Sequence, residues 1–190
     1  AMKRMVDDFR DYARTPPAML ETLDLNGLIE EILNLYLAED GNDVIHASLA
    51  PQLPRVMGDA TQLRQVIHNL VQNAQDALVD RGPDAPSPRV DVSTEAIHYT
   101  GADGLAGTAV RLAIVDNGPG FAPRILARAF EPYVTTKARG TGLGLPMVKK
   151  IVDEHGGRID VGNRTDGAGA AVSILLLKLS QNSAPSANLA

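Results

Sequence analysis

Asn69, Asn73 and Asp76 stand four and three residues apart within the stretch Gln65 to Ala77, a spacing that puts all three on one face of a helix. Asparagine is a modest helix former, so two of them one turn apart need a reason. A neutral amide oxygen suits Mg²⁺, which takes few protein ligands and keeps phosphate oxygens and waters. A solvated polar face would use the same pattern. Asp116-Asn117-Gly118-Pro119-Gly120 follows directly on the alternating Val110, Leu112 and Ile114. A carboxylate at a strand end can accept a hydrogen bond from an exocyclic amine, and glycine lets backbone approach a flat ring. Asp-Asn-Gly is also an ordinary turn sequence. Gly140-Thr141-Gly142-Leu143-Gly144-Leu145 sets three alternate glycines before a helix, where free N–H groups and the helix dipole favour phosphate. No Gly-Lys-Ser/Thr follows, so it is not a Walker loop, and the strand-first context of a dinucleotide fingerprint is missing. A flexible linker is the other reading. Asp166-Gly167-Ala168-Gly169 suits a hairpin turn, and its value lies in its company.

The elements that must position these groups follow from periodicity. Met5, Phe9 and Tyr12 give a short helix over 3–14, stopped by Thr15-Pro16-Pro17. Such a short helix is marginal alone and wants a partner. Leu25, Leu28, Ile29, Ile32, Leu33, Tyr36 and Leu37 predict a helix over 24–40, and Val44 to Leu49 alternates like a strand. Asp59 with Gln62 makes a capping-box-like start for a helix running to about Val79. Strands are expected over 89–97 and 108–115, joined as a hairpin through Gly101 to Gly107. Residues 116–142 carry four glycines and little periodicity, which marks a lid or a disordered stretch. A third helix over 143–155 ends at Gly156-Gly157, and strands over 158–161 and 170–179 follow. Paired strands with helices between them imply an α+β two-layer sandwich, with a mixed, mostly antiparallel sheet on three helices.

Composition narrows the function. A formal charge of -5 with no dense Lys/Arg cluster argues against a nucleic-acid surface. With no Cys, disulfides and thiolate metal sites are excluded. Aromatics supply only 4%, so aliphatic residues must fill the core. No apolar run approaches the roughly 20 residues that span a bilayer. Ala1-Met2-Lys3-Arg4 lacks the apolar stretch of a signal peptide. The expected location is the cytoplasm, with a membrane anchor elsewhere in the whole protein left open.

In order and spacing the four constellations resemble the GHKL ATPase superfamily of gyrase, heat-shock chaperones, histidine kinases and MutL, over roughly residues 20–180. The resemblance implies the Bergerat ATP-binding fold and a site for ATP and Mg²⁺. Gln65 to Ala77 would be the N box, with Asn69, Asn73 and Asp76 at the nucleotide and Asn73 on the metal. Asp116, Gly118 and Gly120 would form the first glycine box, with Asp116 reading adenine. Gly140 to Leu145, with its glycines Gly140, Gly142 and Gly144, would be the second, at the phosphates, and Gly167 and Gly169 the third. Phe130-Glu131-Pro132-Tyr133-Val134-Thr135-Thr136-Lys137 looks like the F box of a kinase ATP lid, adding Phe130, Thr135, Thr136, Lys137 and Arg139 to the expected nucleotide contacts.

Within the superfamily, hydrolytic branches place a Glu one turn before the Mg²⁺-binding Asn. Asn69 stands there, and an amide cannot take up a proton. A kinase is therefore expected rather than an ATPase, with Asn69 and Lys137 in catalytic roles. The closing stretch Ala129 to Leu145, with Phe9 to Pro16, resembles the nitrogen-regulation sensor kinases, the NtrY/NtrB-like group. That implies a truncated end of a dimerisation hairpin at 1–17, the catalytic domain at 20–180 and a disordered tail at 181–190. The implied partners are the phosphoacceptor-His dimerisation domain of the same protein and a response regulator receiver domain, with a homodimer in the intact kinase and a fragment compatible with a monomer. None of His46, His68, His98 or His155 has the context of a phosphoacceptor, and a surface or half-buried role is expected for each. Asp76 stands where several related kinases have a Lys that reaches a phosphate, and Lys137 and Arg139 are the expected substitutes. A nucleotide-binding regulatory module of pseudokinase or anti-sigma type, without transfer, is the alternative, and a gyrase-type hydrolytic ATPase a second.

Overall fold

Buried side chains recur at helical spacing along three segments. They are Leu25, Leu28, Ile29, Ile32 and Leu33 on α2 (Leu25–Asp40), and Val66, Ile67, Leu70, Val71 and Ala74 on α3 (Ala60–Asp76). Met147, Val148, Ile151 and Val152 do the same on α5 (Gly144–Glu154). These stripes face a sheet whose strands alternate: Val110, Leu112, Ile114 and Asp116 of β5 are buried while Arg111 between them is exposed. The computed structural model describes residues 2–40, 43–79, 81–134 and 144–181.

The five-stranded sheet has the order β2-β4-β5-β7-β6. β2 (Ile45–Ser48) runs parallel to β4 (Val90–Thr100), and β5 (Ala106–Asp116), β7 (Ala170–Leu176) and β6 (Arg158–Asn163) are antiparallel to their neighbours. β4 and β5 form the expected hairpin, closed by the Gly101 to Leu105 turn. With three helices against one face of a mixed, mostly antiparallel sheet, the architecture is the expected two-layer sandwich. α1 (Met2–Ala13) has no buried residue and touches the rest through α5, where Lys150 Nζ donates to the Tyr12 carbonyl at 3.1 Å. Among the described residues, no helix is long and apolar enough to cross a membrane.

Three features differ from expectation. A second, two-stranded sheet pairs β1 (Glu21–Leu23) with β3 (Val56–Gly58); strands of three residues are too short to show a period. The stretch read as irregular contains a turn of helix, α4 (Pro123–Leu126), with proline at its first position. α3 stops at Asp76 rather than near Val79, because the next amides bond three residues back (Leu78 N to Gln75 O, Val79 N to Asp76 O) and tighten the end.

Only half of the expected capping box forms. Asp59 Oδ1 accepts from the Gln62 amide at 3.2 Å. The Gln62 side chain does not reach back. It is buried and donates instead to the Pro16 carbonyl at 2.7 Å, while the Asp59 amide donates to His155 Nε2 at 3.0 Å. Asp59 Oδ2 also accepts from the Met19 amide at 3.0 Å, so the segment after α1 is latched to the start of α3. Partial burial pulls the Asp59 carboxyl upward, but the amides of Met19, Gln62 and Thr61 outweigh it and hold its pKa below 3.8. Asp59→Ala should therefore cost about 1–2 kcal/mol at neutral pH. Because the folded-state pKa is depressed, the stabilisation is complete above about pH 4 and is lost as pH falls through the folded value. Urea titrations of wild type and Asp59→Ala at pH 7 and at pH 3 should show the gap narrowing at the lower pH.

Candidate functional site

On α3, Asn69, Asn73 and Asp76 are half-buried, and two of them face α5. Asn69 Nδ2 donates to Met147 Sδ at 3.7 Å. The Asn73 amide approaches the first residue of α5: a Cβ on Gly144 would lie 3.5 Å from Asn73 Nδ2 and 3.9 Å from its Oδ1. Two sequence constellations 71 residues apart (144 − 73) therefore meet in space. Asp76 behaves differently, since its Oδ1 accepts from Gln72 Nε2 on the same helix at 2.9 Å.

Asp116 ends β5 and is buried, at 6% exposure. Its Oδ1 accepts from the Gly118 amide at 2.9 Å and from the Ala170 amide at 3.4 Å. The loop behind it is packed without slack. A Cβ on Gly118 would lie 2.7 Å from the Ala77 carbonyl and 3.0 Å from Asp116 Oδ1, so no other residue lets this backbone rest on the end of α3. Gly169 (φ +134°) presses equally hard on the other side, where a Cβ would overlap the Asp116 carbonyl oxygen. Gly120 lies against Asn163 and the Gly169 carbonyl. The first and third glycine constellations are thus one packed unit around Asp116.

Of the residues expected in a lid, Phe130 is half-buried against the core with Lys149 Nζ 6.0 Å from its ring centre. Gly144 begins α5, and Leu145 packs on the core. Thr135, Thr136, Lys137, Arg139, Gly140, Thr141, Gly142 and Leu143 lie outside the described residues. Lys149 and Lys150 are engaged elsewhere, with Asp153 at 2.7 Å and with Tyr12.

Residues 58–181 match the family model described as histidine kinase-, DNA gyrase B-, and HSP90-like ATPase. The chain belongs to this ATPase family. Across nine-tenths of its length it is similar to sensor histidine kinases. It is 32% identical to the nitrogen regulation protein NtrY of Azorhizobium caulinodans, covering 91% of this chain and 21% of that protein. It is 33% identical to the sensor histidine kinase ZraS of Escherichia coli K12, covering 92% of this chain and 35% of that one. The chain thus spans between a fifth and about a third of these relatives' lengths. Among solved structures, full-length ShkA in complex with AMPPNP superposes with a TM-score of 0.73 at 28% identity, over 94% of this chain and 36% of that one. The histidine kinase ThkA in complex with the response regulator TrrA gives 0.69 at 26% identity, over 93% and 47%.

Several groups around this ATPase-family site were not readable from sequence. Asn117 is tied to the segment before β4: its Nδ2 donates to the Ser87 carbonyl at 2.8 Å, its Oδ1 accepts from the Arg89 amide at 2.9 Å, and Arg81 donates to its carbonyl at 3.0 Å. Asn163 brackets Phe121 through both its amide and its carbonyl, at 2.7 and 2.9 Å. Arg164 donates to Asp166 at 3.0 Å, which raises the guanidinium pKa against partial desolvation, and the charges of Asp166, Asp91 and Asp116 add to the rise. A cavity of about 600 Å³ opens between Ala77, Arg81, Gly118 and Arg164; its described walls include neither Asp116 nor Asn73, so it lies behind the loop rather than between α3 and α5. His155 departs from the half-buried role expected of it and is 1% exposed. The other histidines fit their expected places: His68 pairs with the Tyr36 hydroxyl at 2.7 Å, and His98 meets Thr108 across the β4–β5 hairpin at 3.1 Å.

Proposed function

We propose that this chain is the ATP-binding catalytic domain of a two-component sensor histidine kinase, holding Mg·ATP between α3 and α5. The convergence of Asn73 with Gly144 supports this most, because it brings a neutral oxygen donor to the N-terminus of the helix that the glycine turn enters. In this reading Asp116, buried at the end of β5, accepts the exocyclic amine of adenine. Gly118, Gly120 and Gly169 let backbone close around the base. Phe130, Thr135, Thr136, Lys137 and Arg139 cover the nucleotide, and Gly140 to Leu145 cradle the phosphates, with Asp76 at the edge of the site.

The donor set fits Mg²⁺. Asn73 offers one amide oxygen, and no group of three or more His, Asp or Glu side chains suited to a metal exists among the described residues. Such a cation takes its remaining ligands from phosphate and water, and when bound it neutralises phosphate charge. Asn69 holds its amide toward Met147 and offers no base for water, so hydrolysis is not assisted from that position. What the chain supplies is positioning and charge, including the Lys137 ammonium, as phosphoryl transfer requires.

The γ-phosphate would pass from ATP to a histidine on a dimerisation hairpin, releasing ADP, and then to an aspartate of a response regulator. The AMPPNP complex of ShkA and the TrrA complex of ThkA support the nucleotide and the relay partner by likeness. Residues 1–17 would be the end of that hairpin and 20–180 the catalytic domain. The exposed row Met2, Met5, Val6 and Phe9 on α1, each 48–80% accessible, supports pairing with another helix and a dimeric intact kinase.

The test is transfer. Incubated with γ-labelled Mg·ATP and a separately produced acceptor hairpin of an NtrY-like kinase, the chain should label a histidine on the hairpin. Asn73→Ala should slow that labelling roughly 30-fold, or about 2 kcal/mol. Nucleotide binding with no labelled histidine would favour a regulatory module. Fast phosphate release by the chain alone would favour a hydrolytic ATPase.

A further inference from the structure

Resting on the nucleotide site proposed above, we propose that His155 is a positioning residue, the closed end of a two-helix clamp whose open end holds the nucleotide. α3 and α5 run antiparallel, and three contacts mark their length. At one end the Asp59 amide, before the first turn of α3, donates to His155 Nε2 at 3.0 Å. In the middle Asn69 meets Met147 at 3.7 Å. At the other end Asn73 faces Gly144.

His155 is held on both ring nitrogens. Nε2 accepts from Asp59, so Nδ1 carries the proton and donates to the Ile151 carbonyl, 2.8 Å away on its own helix. The ring is thus a rigid strut between the last turn of α5 and the N-cap of α3. The helix behind it stops there, since the Gly157 amide turns back to the Val152 carbonyl at 3.0 Å. The ring Cδ2 also lies against Gly58, where a Cβ would be 3.7 Å away, so β3 backs the strut. The same Asp59 carboxylate holds Met19 and the Gln62 amide, which fixes the strut's footing.

The lever is long. At about 1.5 Å rise per residue the eleven residues of α5 carry its N-terminus roughly 16 Å from the strut. A small rotation at His155 becomes a displacement on the order of 1 Å at Gly144, a size that matters where phosphate must meet both a helix terminus and a metal ligand. Filling space alone would not need a ring with two committed nitrogens.

Two substitutions separate the strut from simple packing. His155→Gln keeps a carbonyl within reach of the Asp59 amide. His155→Asn is too short for that contact and retains only a donor for the Ile151 carbonyl. Each variant is compared with wild type at a temperature where its far-UV circular dichroism is fully native. The first readout is AMPPNP affinity with Mg²⁺ by calorimetry. The second uses the absence of cysteine from the chain: spin labels on Gln75→Cys and Lys149→Cys report the spacing of α3 and α5 without any nucleotide. The expected result is affinity within about twofold of wild type for Gln and roughly tenfold weaker for Asn, with the label distance broadened only in Asn. Equal affinities and equal distance distributions in the two folded variants would overturn the proposal, leaving His155 a packing residue. A wild type that binds no AMPPNP would sink the nucleotide reading instead, and the label distances would still decide the strut.

Discussion

Asp116→Asn should lower AMPPNP affinity by about 30-fold or more while leaving the fold intact. The carboxylate Oδ1 accepts from the Gly118 and Ala170 amides, and an asparagine carbonyl can take over both bonds. What changes is the other oxygen, which becomes an N–H₂ group. Set against the exocyclic amine of adenine it opposes donor to donor, and the lost acceptance plus the desolvation of an unpaired buried group costs about 2–4 kcal/mol. Titration of the nucleotide into wild type and variant, with urea denaturation of both, reads the two quantities separately. Affinity lost at unchanged stability is the expected pair. Unchanged affinity would remove Asp116 from the base-recognition role and take the proposed orientation of the nucleotide with it.

Gly169→Ala should be the most destabilising single change at the site, by about 3–5 kcal/mol. Its backbone sits at φ +134°, which a side chain opposes, and the added methyl would overlap the Asp116 carbonyl oxygen. Strain of that kind costs about 1–3 kcal/mol and overpacking a similar amount. Neither neighbour can yield easily, because Asp116 is paired in the sheet with Val90 and Ala170 is already in β7. The midpoint of urea unfolding measures it. Gly167→Ala, two residues away, is a suitable control: a Cβ there would come no nearer than 3.9 Å to the Arg164 side chain, so a loss within about 0.5 kcal/mol is expected.

The contrast between those two glycines shows where sequence reading stops. Both belong to one motif, and only the packing distinguishes them. The helices and the long hairpin were legible because Val66, Leu70 and Ala74, or Val110, Leu112 and Ile114, carry their period within one segment. Asp116 was legible because a strand end followed by glycines is itself local. Asn73 and Gly144 were matched through resemblance, and their meeting depends on α3 and α5 packing antiparallel, which neither segment encodes alone. The roles of Gln62 and Asn163 could not be read at all. Gln62 fits a capping box, yet a carbonyl 46 residues back, that of Pro16, outcompetes the local arrangement. Asn163 brackets Phe121 from 42 residues away. His155 looked like an ordinary helix-end residue because its partner is the backbone amide of Asp59, and a backbone amide leaves no trace in a sequence.

β5 lies at the centre of the large sheet, paired to β4 through a tight turn and to β7 across Val110 to Val115. The hairpin half can form as soon as Asp116 has left the ribosome. The β7 half closes only after the glycine turn, α5 and β6 have been made, and closing that long loop is the entropically expensive step. Gly169 and Ala170, which lock Asp116, arrive with it. A nascent or C-terminally nicked chain would therefore possess its hairpin and its asparagine helix yet have no competent base pocket. On the proposed reading of the site, the domain would stay silent toward nucleotide during synthesis until β7 is in place.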